Sequence, residues 1–169
     1  MEMLDVYNIN GKPTGQMAPR GTILPDGNFF LCTHIFLENM NHQFLIQQRS
    51  NEKLTRPGQW DITAGAVDSG EDSLVAAIRE TQEEVGLILK KDKLHFLFRD
   101  RLRCCFHDMY YASLPFRLED CTMQASEVQA LRLVFAEELS TLIQKMSHRS
   151  DNYKKTITQF LQNGTISKS

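Results

Sequence analysis

The apolar and polar positions of the chain fall into short blocks with two different periods. Phe29 to Glu38 is an apolar run of strand length, Asn39 to His42 supplies turn chemistry, and Phe44 to Gln48 returns as a second run. The pattern predicts a hairpin. Ser50 to Gly58 is a polar loop carrying several charges, and Trp60 to Ala64 reads as a further short strand. Residues 73–85 switch to a helical period: at 100° per residue Leu74, Ile78, Thr81 and Val85 fall on one side. Asp72 stands at the N-cap of that helix and Gly86 at its stop. Residues 94–99, 104–113 and 128–135 read as strands, and Glu137 to Lys145 and Tyr153 to Leu161 as helices. Residues 1–28, rich in Gly and Pro, read as an N-terminal extension of turns with short extended pieces, and 163–169 as a frayed tail. Interspersed strands and helices predict an α/β chain, a mixed sheet flanked by helices.

Composition adds limits to this picture. A length of 169 residues, 41% hydrophobic and 24% charged, suits one globular domain spanning 1–169. Nineteen basic side chains against twenty-one acidic ones give a formal charge of −2, without the basic excess of a protein that binds nucleic-acid polymers. Single nucleotides remain possible ligands. No apolar run reaches membrane-spanning length and the N-terminus lacks a signal-peptide layout, so a cytoplasmic location without membrane association is expected. The four cysteines, Cys32, Cys104, Cys105 and Cys121, form no C-x-x-C pair and are expected as free thiols packed like small apolar residues. The five histidines show no metal-ligand spacing, and Cys104, Cys105 and His107 are assigned to the packing of a late strand.

The chemistry concentrates in the helix and the loop before it. Glu80, Glu83 and Glu84 stand at i, i+3 and i+4, on one face. Their mutual repulsion, near the negative end of the helix dipole, costs about 1 kcal/mol in sum. Alone, the trio reads either as a solvated acidic face or as a grip for a divalent cation, for which oxygen ligands at this density suit Mg²⁺ or Mn²⁺. The surroundings favour the grip. Gly65 and Gly70 bracket a tight loop that lets backbone groups approach a ligand. Arg79 precedes the acidic turn, and Glu71 lies where it can pair with that arginine.

The segment Gly65 to Leu87 resembles the Nudix box, G-x5-E-x7-R-E-U-x-E-E-x-G-U with U a bulky aliphatic residue. Gly65, Glu71, Arg79, Glu80, Glu83, Glu84 and Gly86 fill the fixed positions and Leu87 the last U; Thr81, at an aliphatic position, departs from it. The resemblance implies an α/β/α sandwich and a hydrolase that attacks a diphosphate linkage with activated water, typically in a nucleoside diphosphate derivative, using Mg²⁺ or Mn²⁺. It implies Glu80 and Glu84 as principal metal ligands, Glu83 as a further one, the Ala64 carbonyl as another, and Gly65, Glu71, Arg79 and Gly86 as supports. The general base is left between a box carboxylate, Glu80 or Glu83, and Glu127 in the later loop. Glu127 reads equally as a ligand or base and as an exposed loop residue. Arg49, Ser50, Lys53, Pro57, Gly58, Trp60 and Asp61 further resemble the isopentenyl-diphosphate-isomerase-like branch, as does the segment Asp5 to Gly15. There Arg49, Lys53 and Arg56 read either as phosphate contacts or as solvated loop charges.

Two rival functions follow from the same resemblance. The isomerase of that branch needs a cysteine just before the box glycine and a histidine just after it, where this chain has Ala64 and Ala66. Alanine side chains neither move protons nor bind metals. A non-catalytic nucleotide-binding module usually loses box carboxylates, which here are complete. A hydrolase of small-molecule diphosphates, as monomer or homodimer, is the expectation.

Overall fold

The computed structural model describes residues 2–164. Nine strands and three α-helices are present among them: β1 (Met3–Asn8), β2 (Pro13–Pro19), β3 (Asn28–Glu38), β4 (Gln43–Arg49), β5 (Trp60–Asp61), β6 (Thr63–Ala66), α1 (Ser73–Val85), β7 (His95–Leu102), β8 (Cys105–Ser113), β9 (Val128–Phe135), α2 (Ala136–Gln144) and α3 (Asp151–Asn163). No described helix is long and apolar enough to cross a membrane.

The longest strand, β3, organises the sheet. Along one edge it runs parallel to β8, from Phe30 opposite Cys105 to Glu38 opposite Ser113. β7 completes that side, antiparallel to β8. The other edge of β3 is shared by three partners in turn. β1 takes Phe29, β6 takes Cys32 to Ile35, and β4 takes only Glu38. The expected hairpin of β3 and β4 therefore closes at its turn and then opens. β6 occupies the edge of β3 that β4 would need, and β4 pairs instead with β9 and β5. The single strand expected at Trp60 to Ala64 is broken at Ile62 into β5 and β6, which serve those two different neighbours.

Side chains alternate between the two faces of β3. Ile35 and Leu37 pack with Leu45, Ala77 and Val85 beneath α1. Phe36 packs on the opposite face with Ile46, Met109, Leu139, Ile143 and Ile157 beneath α2 and α3. This is the α/β/α sandwich. Thr81 sits fully buried on the core side of α1, where its Oγ1 donates to the Ala77 carbonyl at 2.7 Å. The hydroxyl at an aliphatic position thus satisfies itself within the helix.

Residues 1–28 do more than extend the chain. β1 and β2 form an antiparallel pair that joins the sheet through Tyr7 and Asn8, and Leu4, Val6 and Tyr7 are buried. Pro13 and Pro19 sit at the ends of β2, the edge position that tolerates missing N–H donors. Of the tail expected at 163–169, Asn163 ends α3 and Gly164 caps it at φ 67°; 165–169 lie outside the described residues.

Candidate active site

Helix α1 carries the acidic turn, and both of its ends are fixed. At the N-terminus the Asp72 carboxylate accepts from the Val75 N–H at 2.8 Å. Ser73 Oγ donates to Asp108 Oδ2 at 2.6 Å, and Arg99 grips the same carboxylate through Nε and Nη2 at 2.6 and 2.8 Å. At the C-terminus Gly86 takes φ 74°, and its N–H donates to the Gln82 carbonyl. A Cβ at Gly86 would meet Thr122 Cβ at 2.9 Å, so a side chain is excluded by space as well as by conformation.

The loop before α1 is clamped from two sides. Arg79 Nε and Nη2 donate to the two oxygens of Glu71 at 3.1 and 2.9 Å, and Nη2 also reaches the Ala66 carbonyl at 3.0 Å. Glu71 in turn accepts from the Asp68 N–H. From the other side Asp5 of β1 accepts from Ser69 Oγ at 2.7 Å and from the Gly70 N–H at 3.0 Å. The N-terminal hairpin thus holds the loop in place, a role that its Gly- and Pro-rich composition gave no sign of.

The three glutamates occupy different environments. Glu84 is buried; it accepts from Gln47 Nε2 at 2.7 Å and from the Ala64 N–H at 3.2 Å. Burial, with Glu80 and Glu127 adding repulsion, outweighs those bonds and pushes its carboxyl up to about 8. Glu80 is buried against Gly65, where an added Cβ would fall 1.9 Å from Glu80 Cδ. Its carboxyl is raised by burial, against the pull of Arg79 Nη1 at 2.8 Å. Glu83 is half exposed and meets Arg79 Nη1 at 3.3 Å. Three carboxylates that share one guanidinium among them, one buried without a cation and one cradled by a glycine, are a donor set that a hard divalent cation fits. Gln47 adds a buried Oε1 with no partner among the described residues.

The remaining site candidates come together on the loops beside β4. Lys53 Nζ lies 2.6 Å from Glu127 Oε2, and the Ser50 N–H donates to the Glu127 carbonyl at 2.8 Å. The loop that carries Glu127 is itself tied to the end of α1, with the Thr122 N–H on the Val85 carbonyl and the Gln124 N–H on the Glu84 carbonyl. Arg49 Nε donates to the Thr55 carbonyl at 3.2 Å. Arg56, read as either a phosphate contact or a solvated loop charge, donates through Nη1 to Asp61 Oδ2 at 2.7 Å, and that atom lies 2.7 Å from His148 Nε2. Asp61 also receives both oxygens' worth of bonds from Arg149 Nη2 at 2.8 Å, so Arg56 braces its loop against a buried ion pair. Burial would raise the Asp61 carboxyl, but Arg149, His148 and Arg56 hold it well below the usual range.

A family model for the NUDIX domain matches residues 30–156. The chain belongs to the Nudix family. Nudix hydrolases cleave pyrophosphate bonds in small molecules, nucleotide derivatives among them, and generally use divalent metals. An uncharacterised Nudix hydrolase of Listeria monocytogenes is 36% identical over 143 residues, covering 84% of this chain and 85% of its own. Nudix hydrolase 3 of Arabidopsis thaliana is 36% identical over 159 residues, 85% of this chain but only 20% of that protein. An isopentenyl-diphosphate Δ-isomerase of Pectobacterium atrosepticum is 35% identical over 79 residues, 46% of this chain and 44% of its own. A crystal structure from Deinococcus radiodurans shares the fold with a TM-score of 0.72 at 21% identity, over 94% of this chain and 98% of that one.

The box carboxylates and their supports were legible as a motif. Asp5 and Asp61 fell inside the branch-like segments without a role, and Gln47 and Arg149 stood in no motif. The available signal for Gln47 is a polar residue at the phase of Leu45, which is buried under α1.

Proposed function

We propose that this Nudix protein is a Mg²⁺- or Mn²⁺-dependent pyrophosphohydrolase that cleaves the diphosphate linkage of a nucleoside diphosphate derivative. One observation carries the reading: Glu80 and Glu84, one turn apart on α1, are both buried and turned toward β6, Glu84 meeting only the neutral donors of Gln47 and Ala64 and Glu80 sharing the single Arg79 guanidinium with Glu71 and Glu83. Glu80, Glu84 and Glu83, with the Ala64 carbonyl, would hold the cation. When bound, that cation neutralises the diphosphate and lowers the pKa of a coordinated water.

The protein's own groups do the positioning. Gly65 leaves room for the Glu80 carboxylate, which a Cβ would displace. Arg79 draws Glu71, Glu80 and the Ala66 carbonyl into one array, which aims the acidic turn at the loop. Glu127 stands as the base outside the box, with Glu80 and Glu83 as the box alternatives. Its pairing with Lys53 places a cation beside it that a substrate phosphate would also attract. Arg49 serves as a second phosphate contact, and Arg56 supports the loop from below.

The isomerase reading draws on the partial match to isomerases, but Ala64 leaves β6 without the thiol that proton transfer at carbon requires. The test is a phosphate-release screen with nucleotide sugars, dinucleotides, nucleoside di- and triphosphates and prenyl diphosphates, with and without Mg²⁺. Metal-dependent release from a nucleoside diphosphate derivative is the expected result. Conversion of isopentenyl to dimethylallyl diphosphate would replace the reading with the isomerase. Tight nucleotide binding without any turnover would replace it with a binding module.

A further inference from the structure

Three side chains that the hydrolytic reading leaves unused meet on the face of the sheet away from α1. Cys32 of β3 pairs across the parallel ladder with His107 of β8, and Cys105 lies two residues before His107, on the same face. Phe36 and Met109, which share that parity, pack beneath α2 and α3, whereas Ile35 and Tyr110 pack beneath α1. The ligand atoms of Cys32, Cys105 and His107 all lie within 4.8 Å of one another. Among the described residues this is the one group of three or more Cys, His, Asp or Glu side chains that converges so closely.

The chemistry of the set is selective. Two thiols and an imidazole are soft and borderline donors, with no carboxylate among them, which disfavours Mg²⁺ and suits zinc-class ions. The His107 ring packs against the His34 ring with centroids 4.9 Å apart, which restrains its orientation. A cavity of about 430 Å³, walled by Arg20, Thr22, Ile23 and Cys104, opens onto both Cys32 and Cys105.

We propose that Cys32, Cys105 and His107 form a second metal site, for a thiophilic divalent cation of the zinc class, with its fourth position facing this cavity. It stands independently of the α1 carboxylates. Tetrahedral zinc, with bonds of about 2.3 Å to sulfur and 2.0 Å to nitrogen, sets ligand atoms about 3.5–3.8 Å apart. The trio therefore needs to draw in by no more than about 1.3 Å. Each thiol gives its proton to solvent as the ion binds, so two thiolates balance the 2+ charge. Bound there, the ion ties the start of β3 to the start of β8 beside the loop at residues 20–24.

The test uses the full chain, reduced and freed of metal with a chelator, then titrated with Co²⁺ and afterwards with Zn²⁺ under anaerobic conditions. The expected result is one equivalent of Co²⁺ with a sulfur-to-cobalt charge-transfer band and the d–d bands of tetrahedral cobalt, displaced by Zn²⁺. X-ray absorption of the zinc form should show two sulfur scatterers. Cys32→Ala and Cys105→Ala should each abolish the charge-transfer band, and the Glu80→Gln/Glu84→Gln double variant should keep it. A folded wild type with no such band, or a band that survives Cys32→Ala and Cys105→Ala, overturns the proposal. Should the cysteine variants not fold, alkylation of the wild type decides: one equivalent of Zn²⁺ should protect Cys32 and Cys105 but not Cys121, and equal labelling with and without Zn²⁺ overturns the site.

Discussion

Gly65→Ala separates the geometry of the acidic turn from the stability of the fold. The backbone at Gly65 does not lie at positive φ, so alanine meets no conformational penalty there. The obstacle is steric and confined to one side chain. The new Cβ would lie 1.9 Å from Glu80 Cδ, 2.1 Å from Oε1 and 2.4 Å from Cγ, against ordinary contacts of 3.4 Å or more. The carboxylate must therefore retreat by at least the 1.5 Å difference between 3.4 and 1.9 Å. Displacement of a catalytic group by about 1 Å costs on the order of 10²-fold in rate, so turnover should fall by at least that factor. Stability should change by no more than about 2 kcal/mol, because the loss of the Arg79–Glu80 bond is partly offset by the lower entropy of the unfolded chain. Mn²⁺ affinity, followed by the electron paramagnetic resonance of free Mn²⁺, should fall together with turnover while the urea midpoint stays close to wild type. A Gly65→Ala protein with unchanged Mn²⁺ affinity and unchanged turnover would refute the claim that Glu80 works from the place where Gly65 leaves room for it.

Other expectations follow from the same geometry. Glu84→Gln should fold and lose about 10²-fold or more of its turnover in saturating Mg²⁺, since even partners one step removed from a metal are worth 10–100-fold; wild-type rates would count against Glu84 as a ligand. Millimolar Mg²⁺ at about 100 times its Kd should stabilise the protein by about 2.7 kcal/mol, roughly 5–11 °C in Tm, and the shift should vanish in Glu80→Gln/Glu84→Gln. Asp61→Ala strands the buried Arg149 guanidinium and should cost about 3–5 kcal/mol, whereas Asp61→Ala/Arg149→Leu should recover most of that in denaturant titrations; an equally unstable double variant would contradict the pairing. The Asp61 carboxyl is depressed in the folded state, so its contribution is complete above about pH 4. It is lost as pH falls further, and acid unfolding of wild type should shift to higher pH when His148 is replaced by Ala and a counter-charge is removed.

How far the chain could be read in advance depended on the range of the signals. Helix α1 matched its expected bounds because its caps are local: Asp72 bonds three residues ahead, and Gly86 needs only its own positive φ. β9 was equally legible from its own alternation. The pairing of β3 was not, because nothing within Phe29 to Glu38 shows that three different strands share one of its edges. The box glutamates and their arginine were visible as a spaced motif. Gln47, 37 residues from Glu84 in sequence, and Asp5, 65 residues from Gly70, act through contacts that only the folded sheet creates. The cysteines and His107 were read singly as packing. Their convergence depends on the parallel register of β3 and β8, which no spacing along the chain encodes.

The divided edge of β3 has a consequence for how the molecule can come apart. The hairpin that restrains the box loop, the strand that contains the box glycine, and β4, whose other neighbour β9 follows directly on Glu127, are all stitched to successive stretches of one backbone. Withdrawing β3 would release all three at once, so none of these regions has its own route to partial unfolding through that seam. Amide protons of Cys32 to Ile35 should accordingly be among the last to exchange with deuterium, at the rate of whole-molecule opening.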